Sequence, residues 1–158
     1  IMTIEKIGSR LESVSIATDI IVGFPGESES QFERSVDLLK TVRPDMTHVA
    51  RYSPRPGTYS AENMLDDVPP EEKMRRFRII EKLQEQISTE INQKYMNATV
   101  PVLFEGRSKG RWRGRTPTNK LVFVENDDNL LGKILDIHIT WSGPWSMIGE
   151  AKPILSNQ

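Results

Sequence analysis

The sequence predicts an α/β segment followed by an all-β segment. Three observations carry that reading. A nearly continuous apolar, β-branched run at residues 14–22 leads through Gly23-Phe24-Pro25-Gly26 into an amphipathic stretch. A longer amphipathic stretch follows at residues 71–94, directly after Pro70. From Asn97 onward, short runs punctuated by Gly106, Gly110, Gly114, Gly132 and Gly143 have the spacing of a small five-stranded, OB-like antiparallel barrel.

Residues 3–12 read as a helix. Residues 14–22 suit a strand buried on both faces, as in a parallel sheet. Ser28-Glu29-Ser30-Gln31 is a capping box, with Ser28 as N-cap and Gln31 three residues later. Phe32, Val36, Leu39 and Val42 then mark one helix face, which ends at Arg43-Pro44. Residues 46–53 form a second strand, closed by Pro54, Pro56 and Gly57. Strand, turn, helix and strand make a βαβ unit, and two parallel strands alone leave its sheet incomplete.

Residues 58–70 read as a polar connector. In the long helix, Met74, Phe77, Ile80, Leu83, Ile87, Ile91 and Tyr95 recur at spacings of three and four, a face for docking on the neighbouring sheet. Five strands are then expected at 100–105, 110–115, 120–125, 133–140 and 145–150, with Asn126-Asp127-Asp128-Asn129 as a loop.

Composition narrows the chemistry. The 158 residues carry a net charge of −1, and none is cysteine, so the chain offers no disulfide and no thiolate for zinc or iron–sulfur. Of its two histidines, His48 has no metal-spaced partner, and His138 sits in an alternating strand as a structural residue. No run approaches the roughly 20 apolar residues of a spanning helix. The opening Ile1-Met2-Thr3 shows no targeting pattern and hints at a reading frame beginning upstream, so a cytoplasmic fragment is expected. Neither a Ser–His–Asp arrangement nor a paired-carboxylate signature occurs, and no catalytic or metal-ligating residue is assigned.

Charge is unevenly spread. Residues 1–96 hold 13 Lys/Arg against 16 Asp/Glu, whereas residues 97–158 hold 8 against 6. Residues 106–120 contain Arg107, Lys109, Arg111, Arg113, Arg115 and Lys120 and no acid. Such a field is an electrostatic footprint for phosphate. In a strand, Arg111, Arg113 and Arg115 share one face and Trp112 takes the other, for core packing or base stacking. A solvated charged face is the alternative.

Two further stretches bear on ligands. Gly23-Phe24-Pro25-Gly26, between strand and helix, either lets backbone amides approach an anion or simply makes a tight turn. Arg51-Tyr52-Ser53-Pro54-Arg55-Pro56-Gly57-Thr58 lies at the C-terminal end of a strand, where parallel α/β folds place their sites. It either holds a carboxylate, phosphate or ribose, or is a proline-stiffened loop. In Trp141-Ser142-Gly143-Pro144-Trp145, the aromatics are expected as lids on the core rather than as stacking platforms.

Ile20-Ile21-Val22-Gly23-Phe24-Pro25-Gly26-Glu27, then Tyr52-Ser53-Pro54-Arg55-Pro56-Gly57-Thr58, then the basic β module with Gly114-Arg115-Thr116, Asn119-Lys120 and Leu131-Gly132 resemble the methylthiotransferase family. These are radical S-adenosylmethionine enzymes ending in a TRAM domain, and the resemblance runs from about residue 3 to 150. It implies a C-terminal part of such an enzyme. Residues 1–62 would be a truncated segment of the (β/α) radical-SAM barrel, 63–96 connector and long helix, 97–152 the TRAM RNA-binding domain, and 153–158 a tail.

The tRNA-modifying branch, which adds a methylthio group to isopentenylated adenosine beside the anticodon, is the nearest likeness. The branch that modifies a ribosomal-protein aspartate and a stand-alone TRAM-type RNA-binding module are the alternatives. By the same resemblance, Gly23, Pro25, Gly26, Tyr52, Ser53 and Arg55 would lie at the S-adenosylmethionine site. Arg107, Lys109, Arg111, Trp112, Arg113, Arg115 and Lys120 would meet the tRNA anticodon arm. The family also uses two 4Fe–4S clusters held by cysteines. None is present here, so the chain alone is expected to be inactive and to work with the missing N-terminal half of the same enzyme.

Overall fold

The computed structural model describes residues 1–11 and 13–151. Glu12 and the expected tail at 153–158, with residue 152, lie outside the described residues. The described residues divide into two compact units, 1–11 with 16–87 and 13–15 with 88–151.

The first unit contains α1 (Met2–Arg10), β1 (Ala17–Val22), α2 (Glu29–Val42), β2 (Met46–Arg51), α3 (Tyr59–Asn63) and most of α4 (Pro70–Gln93). At the start of α2, the Ser28 hydroxyl accepts from the Gln31 amide and the Gln31 side chain accepts from the Ser28 amide. This reciprocal cap satisfies two otherwise orphaned donors. The helix stops where Arg43 turns left-handed, at φ 49°.

That crossover returns β2 parallel to β1, in register from Ala17↔Met46 to Val22↔Arg51. Val22, Phe32, Leu39 and Ile80 form the core of the unit, flanked by Ile20, Val36, Val49, Phe77, Ile79 and Leu83.

Three expectations are corrected here. Strand β1 is not buried on both faces: Ile20 and Val22 turn toward α2 and α4, while Ile21 is 54% exposed. Its sheet has two strands and is open, so the expected segment of a (β/α) barrel forms no barrel among the described residues. The connector also contains a short helix, α3, capped by the Thr58 hydroxyl.

The second unit contains β3 (Thr99–Ser108), β4 (Arg111–Arg115), β5 (Leu121–Val124), β6 (Ile134–Ser142) and β7 (Met147–Ala151). Pairing runs in the closed order β3-β4-β5-β7-β6, with β6 meeting β3 again. Here the expected antiparallel barrel is corrected. Four pairings are antiparallel, but β5 and β7 run parallel from Val122↔Met147 to Val124↔Gly149. The reason is topological: a closed ring of five strands cannot alternate direction throughout, so one neighbouring pair must run parallel.

Val102, Phe104, Trp112, Val122, Val124, Leu130, Ile137, Ile139 and Met147 fill the interior. Gly114 lets β3 and β4 approach, since a Cβ there would strike the Leu103 carbonyl and the Val102 side chain. Irregularities between Phe104 and Gly106 and between Ile139 and Trp141 shift the register of β3 and β6.

Candidate functional site

The Gly23–Gly26 turn is held from within the chain. The Gly23 amide donates to Glu27 Oε2 at 2.6 Å and the Gly26 amide to Asp67 Oδ1 at 2.7 Å. A Cβ on Gly23, whose φ is +69°, would run into the Lys73 side chain. Lys73, in turn, places its ammonium 2.7 Å from Asp66 Oδ2 and 5.2 Å from the centre of the Tyr52 ring. The two glycine amides expected to face a ligand are therefore engaged by carboxylates of the same unit.

Tyr52, Ser53 and Arg55 are brought together differently. With Ile21, Phe24, Ala50, Arg51, Thr58 and Ser60 they line a groove of about 240 Å³ beyond the end of β2. Phe24 meets Tyr52 edge to face, with ring centres 5.0 Å apart. The Tyr52 hydroxyl is buried without a hydrogen-bond partner. The groove thus combines an apolar wall from Ile21, Phe24 and Ala50 with the guanidiniums of Arg51 and Arg55 and the hydroxyls of Ser53, Thr58 and Ser60.

Behind the turn, Arg76 is 5% exposed and donates to Glu27 Oε2 at 2.8 Å and Glu72 Oε1 at 2.8 Å. Arg75 reaches Glu72 and Glu29. The hydrogen bond from Arg75 holds the Glu72 carboxyl down at about 2, partial burial opposes this, and Arg76 adds to it. Hydrogen bonds to Glu72 and Glu29 raise Arg75. Arg76 is raised as well: burial works against its charge, but Glu27 and Glu72 outweigh it.

These residues were not legible as a site. The apolar spacing of the long helix marked Met74, Phe77 and Leu83, whereas the buried stripe of α4 also holds Lys73, Arg76, Gln84, Ser88 and Asn92. Each of the five is polar, so hydrophobic periodicity passes over it. Thr47 donates to Gln84 Oε1 at 2.6 Å, and Gln84 donates to the Pro44 carbonyl at 3.2 Å.

On the barrel, the arginines of β4 do alternate. Arg111 and Arg113 are exposed, Trp112 and Gly114 are buried, and Arg115 is intermediate. Arg111 donates to Glu125 Oε1 at 2.8 Å. Arg115 donates to the carbonyl and side-chain oxygen of Asn119, and lies 3.5 Å from Glu105. Arg113 has no ion pair among the described residues. Arg107, Lys109 and Arg111 border a broad cleft with Phe123, Glu125, Asn126 and Asp127. Lys120 follows the loop fastened by its own amide to Thr116 Oγ1.

Trp112 is placed otherwise than a stacking surface requires. Only 6% exposed, it belongs to the core, and the Arg107 guanidinium lies 4.5 Å from its ring centre. Trp141 and Trp145, expected as lids on the core, keep about half of their surface in solvent, at 49% and 52% exposed.

Among the described residues no group of three or more His, Asp or Glu is placed to hold a metal, and the chain has no cysteine. Its residues therefore do not fit an iron–sulfur cluster. No helix among the described residues is long and apolar enough to cross a membrane.

Residues 93–152 match the TRAM domain family. The chain is 47% identical over 149 residues to the tRNA-2-methylthio-N(6)-dimethylallyladenosine synthase of Roseiflexus sp., covering 92% of this chain and 31% of that protein. The synthases of the same name from Chloroflexus aurantiacus and Herpetosiphon aurantiacus are 46% and 44% identical. The matches cover 92% and 96% of this chain, and 32% and 36% of those proteins. The chain thus spans about a third of the length of the curated relatives it matches.

Proposed function

We propose, from a chain that belongs to the methylthiotransferase family and carries its TRAM domain, that these residues serve the RNA-gripping part of a tRNA-modifying enzyme. The whole enzyme would add a methylthio group to isopentenylated adenosine of tRNA, as the names of its relatives suggest, at the position beside the anticodon that the resemblance implies. The observation that carries the reading is the acid-free strip at 106–120, whose Arg111 and Arg113 stand on the outer face of β4.

Arg107, Lys109, Arg111, Arg113, Arg115 and Lys120 would hold phosphates of the anticodon arm. Planar guanidiniums bind phosphate oxygens in pairs and keep their charge at any physiological pH. Phosphate contacts position the RNA without reading its sequence, so base choice belongs elsewhere.

In the first unit, Tyr52, Ser53 and Arg55 would line the adenosyl side of S-adenosylmethionine, with Phe24 as a flat wall. Gly23, Pro25 and Gly26 would contribute the shape of the turn, their conformation fixed by Glu27, Asp67 and Lys73. When bound in the whole enzyme, that cofactor supplies the radical and the methyl group. The iron–sulfur ligands must come from outside this chain.

Salt titration tests the reading. The affinity of the full chain for an anticodon stem–loop RNA should fall linearly in log affinity against log salt, by roughly 0.7 to 0.9 per phosphate held. Replacing Arg111, Arg113 and Arg115 together by Ala should flatten that slope. An unchanged slope would move the RNA site off this strip.

A further inference from the structure

We infer that the β6–β7 turn, through Trp141 and Trp145, is a stacking site for unpaired RNA bases, distinct from the phosphate strip on β4. The inference rests on the RNA-binding reading and deepens it.

Strand β6 supplies the first argument. Strict alternation would put Trp141 on the same side as the buried Ile137 and Ile139. The register shift between Ile139 and Trp141 adds a residue, Thr140, and sends the indole outward. A bulge re-aims a side chain at the cost of ladder regularity, and bulges are frequent beside functional sites.

The turn is also held rigidly. The buried Asn92 amide donates to the Gly143 carbonyl at 2.7 Å and to that of Pro144 at 3.1 Å. The Gly143 amide donates to the Ser146 carbonyl. The Trp141 ring lies over Gly143, where a Cβ would strike three of its ring carbons. One edge of the indole is thereby seated while half of the residue stays in solvent. An indole that is fixed and still exposed loses little freedom on stacking.

Charge favours a nucleic-acid occupant. Residues 139–149 contain no acid. The segment 92–95 links this turn to the 116–120 loop: Asn92 holds the turn, and the Tyr95 hydroxyl lies 2.8 Å from Thr118 Oγ1. Lys94 is exposed within that segment, and Arg115 and Lys120 bracket the loop. Flat aromatic surface beside cations is the composition of a single-strand site, where every base offers a π-face. Arg107, Lys109 and the β3–β4 hairpin sit at the far end of β4 from this loop, so a strand crossing the barrel could engage both.

The test uses the full chain with two probes of equal length, an oligoadenylate and an abasic oligomer of the same backbone. Trp141→Ala and Trp145→Ala should each weaken oligoadenylate binding by roughly 5- to 150-fold, the range expected for one stacked base. Their salt slope and their affinity for the abasic probe should not change. Because Trp112 is buried, oligoadenylate should also quench the emission of the unaltered protein, and the abasic probe should not. Trp145→Phe, which keeps an aromatic face, should restore most of the affinity.

Tryptophan variants that bind oligoadenylate like the parent chain, with no quenching, would overturn the inference and leave the arginine strip standing. Failure of the parent chain to bind either probe would overturn the RNA-binding reading, and this inference with it.

Discussion

Lys73 occupies the space that a side chain on Gly23 would need, and its ammonium closes on Asp66. A turn between β1 and α2 is thereby locked to the first turn of α4. Gly23→Ala should destabilise the first unit by about 1–3 kcal/mol, from the left-handed φ and the collision together. Adding Lys73→Ala relieves the collision but not the φ strain, and it also gives up the Lys73–Asp66 ion pair. Denaturant unfolding of the single and double variants should therefore be non-additive, with the double variant less costly than the sum.

Asn92 is 3% exposed and points its amide at two carbonyls of the β6–β7 turn. Asn92→Ala leaves those carbonyls unpaired and should cost about 1–3 kcal/mol. Asn92→Asp should be worse at neutral pH, because a buried carboxylate would face two acceptors. Thermal unfolding of the second unit reads both, and an Asp variant as stable as the parent would contradict the assignment.

Glu72 gives acid sensitivity a direction. Its folded value of about 2 lies below its ordinary 4.5. A depressed carboxyl contributes stability that is fully present above the ordinary value and is lost as pH falls through the folded one. The first unit should weaken between about pH 4.5 and pH 2, and Glu72→Gln should flatten that limb. The expected readout is the midpoint of urea unfolding against pH.

Arg111 must leave Glu125 to serve a phosphate, whereas Arg113 has no such competitor. Glu125→Gln should raise RNA affinity at low salt by up to about fivefold, the scale of an exposed ion pair. Arg113→Ala should lower affinity and reduce the salt slope by about 1. Fluorescence anisotropy with a stem–loop RNA across a salt series measures both.

Trp112 packs inside the barrel, and its indole nitrogen is buried without a partner. Trp112→Phe should therefore leave RNA affinity and salt slope unchanged. It should cost stability through lost packing alone, about 1–3 kcal/mol. A loss of RNA affinity in a folded Phe variant would return this residue to the binding surface.

The linear chain was sufficient for features written in neighbouring residues. The Ser28–Gln31 cap, the βαβ order, the alternation of Arg111, Trp112 and Arg113, and the absence of cluster ligands depend on local spacing or on composition alone. Tertiary structure decided what depends on distant partners. The polar stripe of α4 is buried because Asp66, Glu27, Pro44 and the Gly143 turn meet it, and hydrophobic periodicity cannot register Lys73, Arg76, Gln84 or Asn92. Ring closure with five strands imposed the parallel β5–β7 pair. A single extra residue in β6 turned Trp141 away from the face of Ile137 and Ile139, because period-two alternation changes face wherever the register slips by one.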